Sequence, residues 1–176
     1  MDYINELCSF TNLGKKGGKE FLLQYFNKID NPQNGLKVIH VTGTAGKGST
    51  SAMIANGLQK AGYNVGLFTS PHLFKLNERI RINNNDISDK ELNSYIKHFF
   101  DKIPDASFSE YLTLIAVQYF LDNNVDYVVC EVFVGGRLDP TNIFKSIATV
   151  ITSIGLDHQN LLGNTKEEIL MEKLGI

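Results

Sequence analysis

The sequence predicts an α/β fold, a mainly parallel sheet with helices on both faces plus one small β-hairpin. Three observations carry that prediction. Short apolar runs alternate with amphipathic stretches of helical length. Loops rich in glycine or containing proline follow the apolar runs. Capping boxes at Ser88 with Glu91 and at Thr165 with Glu168 announce two helix starts.

The elements follow in order. Leu22, Tyr25, Phe26 and Ile29 recur at helical spacing, so a helix should end before Asn31-Pro32. Residues 37–42 read as the first strand. The helix after it should bury Ile54, Leu58 and Ala61 and stop at Gly62. Residues 64–68 read as the second strand, with the loop Thr-Ser-Pro-His-Leu behind it. Residues 79–88 read as a hairpin that turns at 83–86. The helix opened by Ser88 should bury Leu92, Tyr95, Ile96, Phe99 and Phe100, and the next one Leu112, Ile115, Ala116, Tyr119 and Phe120. Residues 126–132 and 148–153 complete the strands, and a last helix starts at Thr165. Strands alternating with amphipathic helices need a sheet covered on both sides.

Composition narrows the function classes. The chain has 176 residues, enough for one domain with a real core, with a hydrophobic share of 43% and a charged share of 20%. A net charge of −2 argues against general nucleic-acid binding. Lys15, Lys16 and Lys19 form a short, glycine-flanked cluster that reads as a solvated loop. Cys8 and Cys130 show no metal or redox spacing and suit a reducing compartment. No signal-peptide pattern and no membrane-length apolar run is found, so a cytoplasmic location without membrane contact is expected.

The segment Val38 to Thr50, VIHVTGTAGKGST, carries the strongest chemical signal. A buried strand leads into a loop of free backbone N–H groups and then into a helix whose positive end faces the loop. Oriented N–H groups and the helix dipole favour an anion, which makes this a P-loop-type phosphate site. Gly43, Gly46 and Gly48 permit close approach, Lys47 adds a point charge, and Ser49 or Thr50 can supply a hydroxyl. Its spacing differs from G-x-x-x-x-G-K-[ST], so the kinases and GTPases are not its nearest match. Asn27-Lys28-Ile29-Asp30 imitates a guanine-reading motif, but it precedes the phosphate loop and lies on an expected helix.

Ligands of an open parallel sheet bind at the carboxyl ends of its strands. Ser70 follows the second strand, before Pro71; Glu131 ends the third; and His158 follows the fourth. A hydroxyl, a carboxylate and an imidazole beside phosphate make a candidate magnesium site. The alternatives are a strand-end carboxylate paired with Arg137 and a loop histidine with only local hydrogen bonds.

The motifs TGTAGKGST, FTSPHL, EVFVGGRLDPTN, TSIGLDH and MEKLGI occur in an order that resembles folylpolyglutamate and dihydrofolate synthases of the Mur ligase superfamily. The resemblance implies that residues 1–176 form the N-terminal portion of the ATP-binding ligase domain, with the C-terminal domain absent. It implies ATP and Mg2+ as cofactors, and folate or dihydropteroate and L-glutamate as small-molecule partners of a monomer. Gly46, Lys47, Gly48 and Ser49, with Thr44 and Thr50 beside them, would contact ATP. Ser70, Glu131 and His158 would hold magnesium, and Lys47, His158 and Lys173 would serve catalysis. Ser107, Phe108 and Glu110, with Leu138, Asp139 and Pro140, would line the pterin site. Phe133, Pro140 and Ser109 depart from the residues usual in the family.

In such ligases the substrate carboxylate attacks the γ-phosphate, and glutamate's amine then displaces phosphate from the acyl phosphate. Lys173, matching the lysine of the family's EKAGI, would carry a carbamate that holds a second magnesium. Three residues from the carboxylate of Ile176, its amine is expected to remain ammonium, its helical turn to fray, and the carbamate to be scarce. The chain by itself is expected to bind nucleotide without turnover. A cell-wall Mur-type amino-acid ligase is the alternative reading.

Overall fold

A computed structural model describes residues 2–10 and 17–176; Lys15 and Lys16 of the basic cluster lie outside them. The elements are α1 (Tyr3–Cys8), α2 (Gly18–Asn27), β1 (Val38–Thr42), α3 (Lys47–Lys60), β2 (Val65–Phe68), β3 (Ile80–Ile82) and β4 (Asn85–Asp86). They continue with α4 (Asp89–Lys102), α5 (Phe108–Asp122), β5 (Tyr127–Glu131), β6 (Ala148–Ile151), α6 (Gln159–Leu162) and α7 (Lys166–Lys173). Short 3₁₀ turns occupy Pro32–Gly35 and Leu76–Arg79.

The six-stranded sheet has the order β4-β3-β2-β5-β1-β6. β2, β5, β1 and β6 run parallel, and β3 and β4 add an antiparallel hairpin. β1 lies between β5 and β6, so the connection through α3 to β2 leaves on one side and β6 docks on the other. That divergence opens a crevice at the carboxyl end of β1.

Alternation along the strands divides the core. Val38, Phe68, Val128 and Cys130 join the larger cluster with α2, α4 and α5, while Val41, Val65, Leu67 and Val129 meet Ala55, Ile54 and Leu58 of α3 on the opposite face. Gly66 is the point of closest approach. A Cβ there would stand 2.7 Å from the Phe120 ring, so the missing side chain lets α5 settle against β2. α5 is buried nearly all round, from Phe108 to Phe120, which makes it the central helix of its layer.

Several expectations change in detail. Ala61 is exposed beyond the end of α3, whose buried residues are Ser51 and Ala55. Ile29 is likewise exposed past the end of α2, leaving Leu22 and Phe26 as its buried residues. The hairpin turns on Asn83 and Asn84, with φ of 50° and 64°, and Asn85 already belongs to β4. Asparagine tolerates that left-handed pair, as a tight two-residue hairpin requires. All four expected parallel strands are present, each one to two residues shorter than read from the sequence.

Candidate active site

The loop after β1 is held in shape by the end of β6. A Cβ on Gly43 would lie 1.9 Å from Thr152 Oγ1, so only glycine fits. The N–H of Thr44 donates to Ser153 O at 2.9 Å, and that of Ala45 to Ser153 Oγ at 2.9 Å. Thr152 Oγ1 donates to Ala45 O at 2.6 Å. The Thr44 hydroxyl donates to Gly155 O at 3.2 Å and accepts from Gly155 N–H at 2.9 Å. Thr44, expected at the phosphates, therefore has both of its donors committed inside the chain and shapes the loop.

The start of α3 is different. Its N-cap, Gly46, has φ 83° and offers no side-chain cap, and its first turn holds no acidic residue. By contrast, α4, α5 and α7 each begin with a capping box, at Ser88/Glu91, Ser107/Glu110 and Thr165/Glu168. Helix geometry leaves the N–H groups of Lys47, Gly48 and Ser49 without partners inside α3. The positive helix end and these donors suit an oxyanion, and Lys47 Nζ, donating to Gly43 O at 3.1 Å, folds back over the loop. Thr50 is already tied into the helix through its N–H to Gly46 O. The donor set thus fits a phosphate chain on an observation internal to this fold.

Glu131 ends β5 only 4% exposed. Its Oε2 accepts the Ser70 N–H at 3.0 Å, and a Cβ on Gly48 would stand 3.5 Å from the same oxygen. Burial pushes this carboxyl above the ordinary glutamate range, while the Ser70 N–H and the charges of Lys47 and Arg79 pull it back only in part. A buried carboxylate with its negative charge incompletely matched, set beside phosphate donors, fits a hard divalent cation. Ser70 and Lys47 thus both act on Glu131, the first through its N–H and the second through its charge.

His158 lies beyond β6. It is the N-cap of α6, with φ 49°, and its half-exposed imidazole lies 3.7 Å from Asp157 Oδ2. No hydrogen bond or ion pair among the described residues links it to Ser70 or Glu131. The Lys173 amine feels the charges of both Lys47 and Asp157, the chain neighbour of His158. Among the described residues no three His, Cys, Asp or Glu side chains are placed to hold a metal ion. A cation here would draw on Glu131 and the Ser70 hydroxyl together with phosphate oxygens, with His158 the further expected ligand.

Lys173 is 4% exposed at the end of α7, and both reasons given for a scarce carbamate fail. The turn is anchored: Arg137 N–H donates to Glu172 O at 2.9 Å, its Nη2 to Met171 O at 2.9 Å, and Asn142 Nδ2 to Gly175 O at 2.8 Å. A Cβ on Gly136 would collide with Glu172 O at 2.8 Å, so this glycine lets α7 close. Burial first, and the neighbouring Lys47 charge second, push the Lys173 amine below the ordinary lysine range despite Asp157 and Asp139.

The residues expected at a pterin lie on two segments that the structure brings together. Glu110 is fully buried and caps two helices at once: its Oε2 accepts the Ser107 N–H at 2.6 Å, and its Oε1 accepts Gly17 and Gly18 N–H at 3.2 and 2.6 Å. A Cβ on Gly18 would meet Leu138 O at 3.3 Å, so this helix start bridges the two segments. Leu138 is exposed and Pro140 half-buried, while Asp139 is buried and accepts from Val134 N–H and from Thr141. Burial pushes its carboxyl up to about 6 against those hydrogen bonds.

Sequence reasoning missed Arg79. Its guanidinium, 8% exposed, donates from Nε to His72 Nδ1 at 2.8 Å and lies 5.3 Å from the Phe108 ring centre. It is a buried positive charge between the loop after β2 and Phe108. The pattern Arg79-Ile80-Arg81-Ile82 carried an alternation signal, but which arginine faces inward depends on the register of β3.

Comparison with known proteins agrees with this architecture. Residues 41–176 match the family model described as the Mur ligase middle domain. The dihydrofolate synthase/folylpolyglutamate synthase of Bacillus subtilis (strain 168) is 42% identical over 172 residues, covering 93% of this chain and 40% of that protein. The folylpolyglutamate synthase of Lacticaseibacillus casei is 38% identical, covering 96% and 41%. The chain thus spans about two fifths of these relatives. Among solved structures, an FPGS–AMPPCP–folate complex superposes with a TM-score of 0.89 at 36% identity, covering 99% of this chain and 46% of that one. E. coli FolC in complex with DHPP and ADP gives 0.90 at 33% identity, covering 99% and 44%. A phosphate loop clamped to β6, a buried glutamate behind it and a match over residues 41–176 lead to one conclusion: the chain belongs to the Mur ligase middle-domain family.

Proposed function

We propose that this chain is the ATP- and magnesium-binding portion of a cytoplasmic, monomeric ligase that joins glutamate to folate or dihydropteroate. The observation that carries this reading is the uncapped start of α3, with Lys47 folded over it and the buried Glu131 against Gly48. Gly46, Lys47, Gly48 and Ser49 would hold the phosphates, and Ser70, Glu131 and His158 the magnesium. That ion would supply charge neutralisation where a substrate carboxylate must approach a triphosphate.

This chain's own residues have separate tasks. Lys47 offsets phosphate charge and, by its nearness, favours the neutral form of Lys173. The Ser70 N–H orients the Glu131 carboxylate. Phe108, with Arg79 above its ring, and the Leu138–Pro140 segment would form the wall against the pterin. Glu110 and Asp139 would shape that wall through the backbone groups they hold. Support for the folate substrate comes from the relatives, whose names are those of folate enzymes.

Calorimetric titration of AMPPNP with and without Mg2+ tests the reading. Saturable binding that Mg2+ strengthens is expected. Binding that neither Mg2+ nor removal of the Lys47 charge alters would overturn it.

A further inference from the structure

We propose that His40 is a positioning residue: through Thr141 it orients the Asp139 carboxylate and thereby fixes the turn from Val134 to Pro140 beside the phosphate site. His40 sits in the middle of β1 and is fully buried, between Phe144, whose ring is edge-on at 6.5 Å, and Cys130, its register partner in β5. An aliphatic residue would fill such a place as well as its neighbours Val38 and Val41 do. The histidine instead leaves Nδ1 buried with no partner, which is unfavourable unless the other nitrogen makes a bond that matters.

That bond is defined atom by atom. His40 Nε2 lies 2.8 Å from Thr141 Oγ1, and Thr141 Oγ1 donates to Asp139 Oδ1 at 2.6 Å. The hydroxyl has one proton, and Asp139 receives it, so the hydroxyl oxygen accepts from His40. The ring is therefore the neutral Nε2–H tautomer, and burial, which pushes its pKa down to about 4, keeps it so.

The far end of this relay is a turn rather than a free acid. Asp139 Oδ2 accepts Val134 N–H at 2.8 Å, and Oδ1 also accepts Thr141 N–H at 3.0 Å. Asp139 N–H donates to Gly136 O at 3.1 Å, and Asn142 N–H to Asp139 O at 2.9 Å. Thr42, two residues beyond His40 and on the same face of β1, donates its hydroxyl to Gly135 O at 2.6 Å. One strand thus grips the turn at two points, and the turn carries Gly136 and Arg137, on which α7 and Lys173 rest. That the turn serves a pteridine rests on the folate-ligase reading; the hydrogen-bonded relay does not.

The test uses the intact 15N-labelled chain as wild type, His40→Leu, which removes the donor, and His40→Gln, which retains one. Amide exchange at Val134 and Thr141 is measured against Val128, a sheet amide bonded to Lys37 O. His40→Leu should accelerate Val134 and Thr141 exchange at least tenfold relative to Val128, whereas His40→Gln should stay within about threefold of wild type. Equal behaviour of the two variants, or uniform loss at all three amides, overturns the proposal. If His40→Leu does not fold, Thr141→Val against Thr141→Ser gives the same comparison from the other end of the bond.

A second arm titrates pteroic acid and AMPPNP. His40→Leu should weaken pteroate about tenfold and leave AMPPNP within about twofold. Equal pteroate affinity in wild type and His40→Leu counts against positioning. If the wild-type chain binds no pteroate, the folate reading fails while the exchange pattern still decides the role of His40.

Discussion

The Ser70 N–H and the Glu131 carboxylate share a 3.0 Å hydrogen bond that ties the loop after β2 to the end of β5. This bond holds a carboxylate that burial makes reluctant to ionise. An acid whose folded-state pKa is raised contributes nothing at low pH and penalises the fold once it must ionise. Glu131→Gln should therefore raise the melting temperature of the ligand-free chain at neutral pH, with the gain vanishing below about pH 4. The same variant should lose the Mg2+-dependent part of AMPPNP affinity, as calorimetry reads directly.

Lys47→Ala removes a charge-assisted contact to phosphate worth about 1.5–3 kcal/mol, so AMPPNP affinity should fall at least tenfold. Unchanged affinity would place the phosphates elsewhere.

Lys173 has a depressed amine pKa, so the fold favours its neutral form. The unfolded chain then binds more protons, and stability rises with pH between the folded-state value and the ordinary lysine value of about 10.4. Lys173→Met should stabilise the chain at pH 7.5 and do so less as the pH approaches that upper limit. A neutral amine also reacts with CO2, forming an N–C bond and releasing one proton as the carbamate appears. Native mass spectrometry in bicarbonate should show one added carboxyl group, absent from Lys173→Met.

Glu78 accepts N–H groups from Leu73, Phe74 and Lys75 at 2.7, 2.8 and 2.8 Å. These bonds bring its carboxyl down to about 2. A depressed acid stabilises above its unfolded value and loses that contribution as pH falls toward the folded one. Amide exchange at Leu73, Phe74 and Lys75 should therefore stay slow at neutral pH and speed up, beyond the intrinsic pH effect, from about pH 4.5 downward. Glu78→Gln should show fast exchange at every pH.

Gly66→Ala would put a methyl group 2.7 Å from the buried Phe120 ring. Overpacking of this kind costs about 1–3 kcal/mol, measurable as a lower urea midpoint with unchanged slope. Adding Phe120→Leu should restore part of the loss.

Much of this was legible because local patterns and tertiary demands agreed. The glycine spacing around Lys47, the Ser88 and Thr165 caps, and the apolar stripes of α4 and α5 each have a single physical reading at short range. Other features depended on contacts between distant segments. Glu110 read only as part of a pterin lining because nothing local says that Gly17 and Gly18, more than ninety residues earlier, will use its second oxygen. Lys173 looked like a fraying ammonium because the turn that buries it comes from Gly136 and Arg137. His40 read as one more residue of an apolar strand, since its partner Thr141 lies 101 positions away.

The clamp between the phosphate loop and β6 also has a kinetic meaning. Thr152 and Ser153 reach Ala45 across sequence separations of 107 and 108 residues. Contacts of that range close late, after the entropy of a long loop has been overcome. The anion cradle is therefore completed only when the last parallel strand docks. A nucleotide that recognises the finished cradle acts as a latch on the native chain, slowing its escape without hastening its formation.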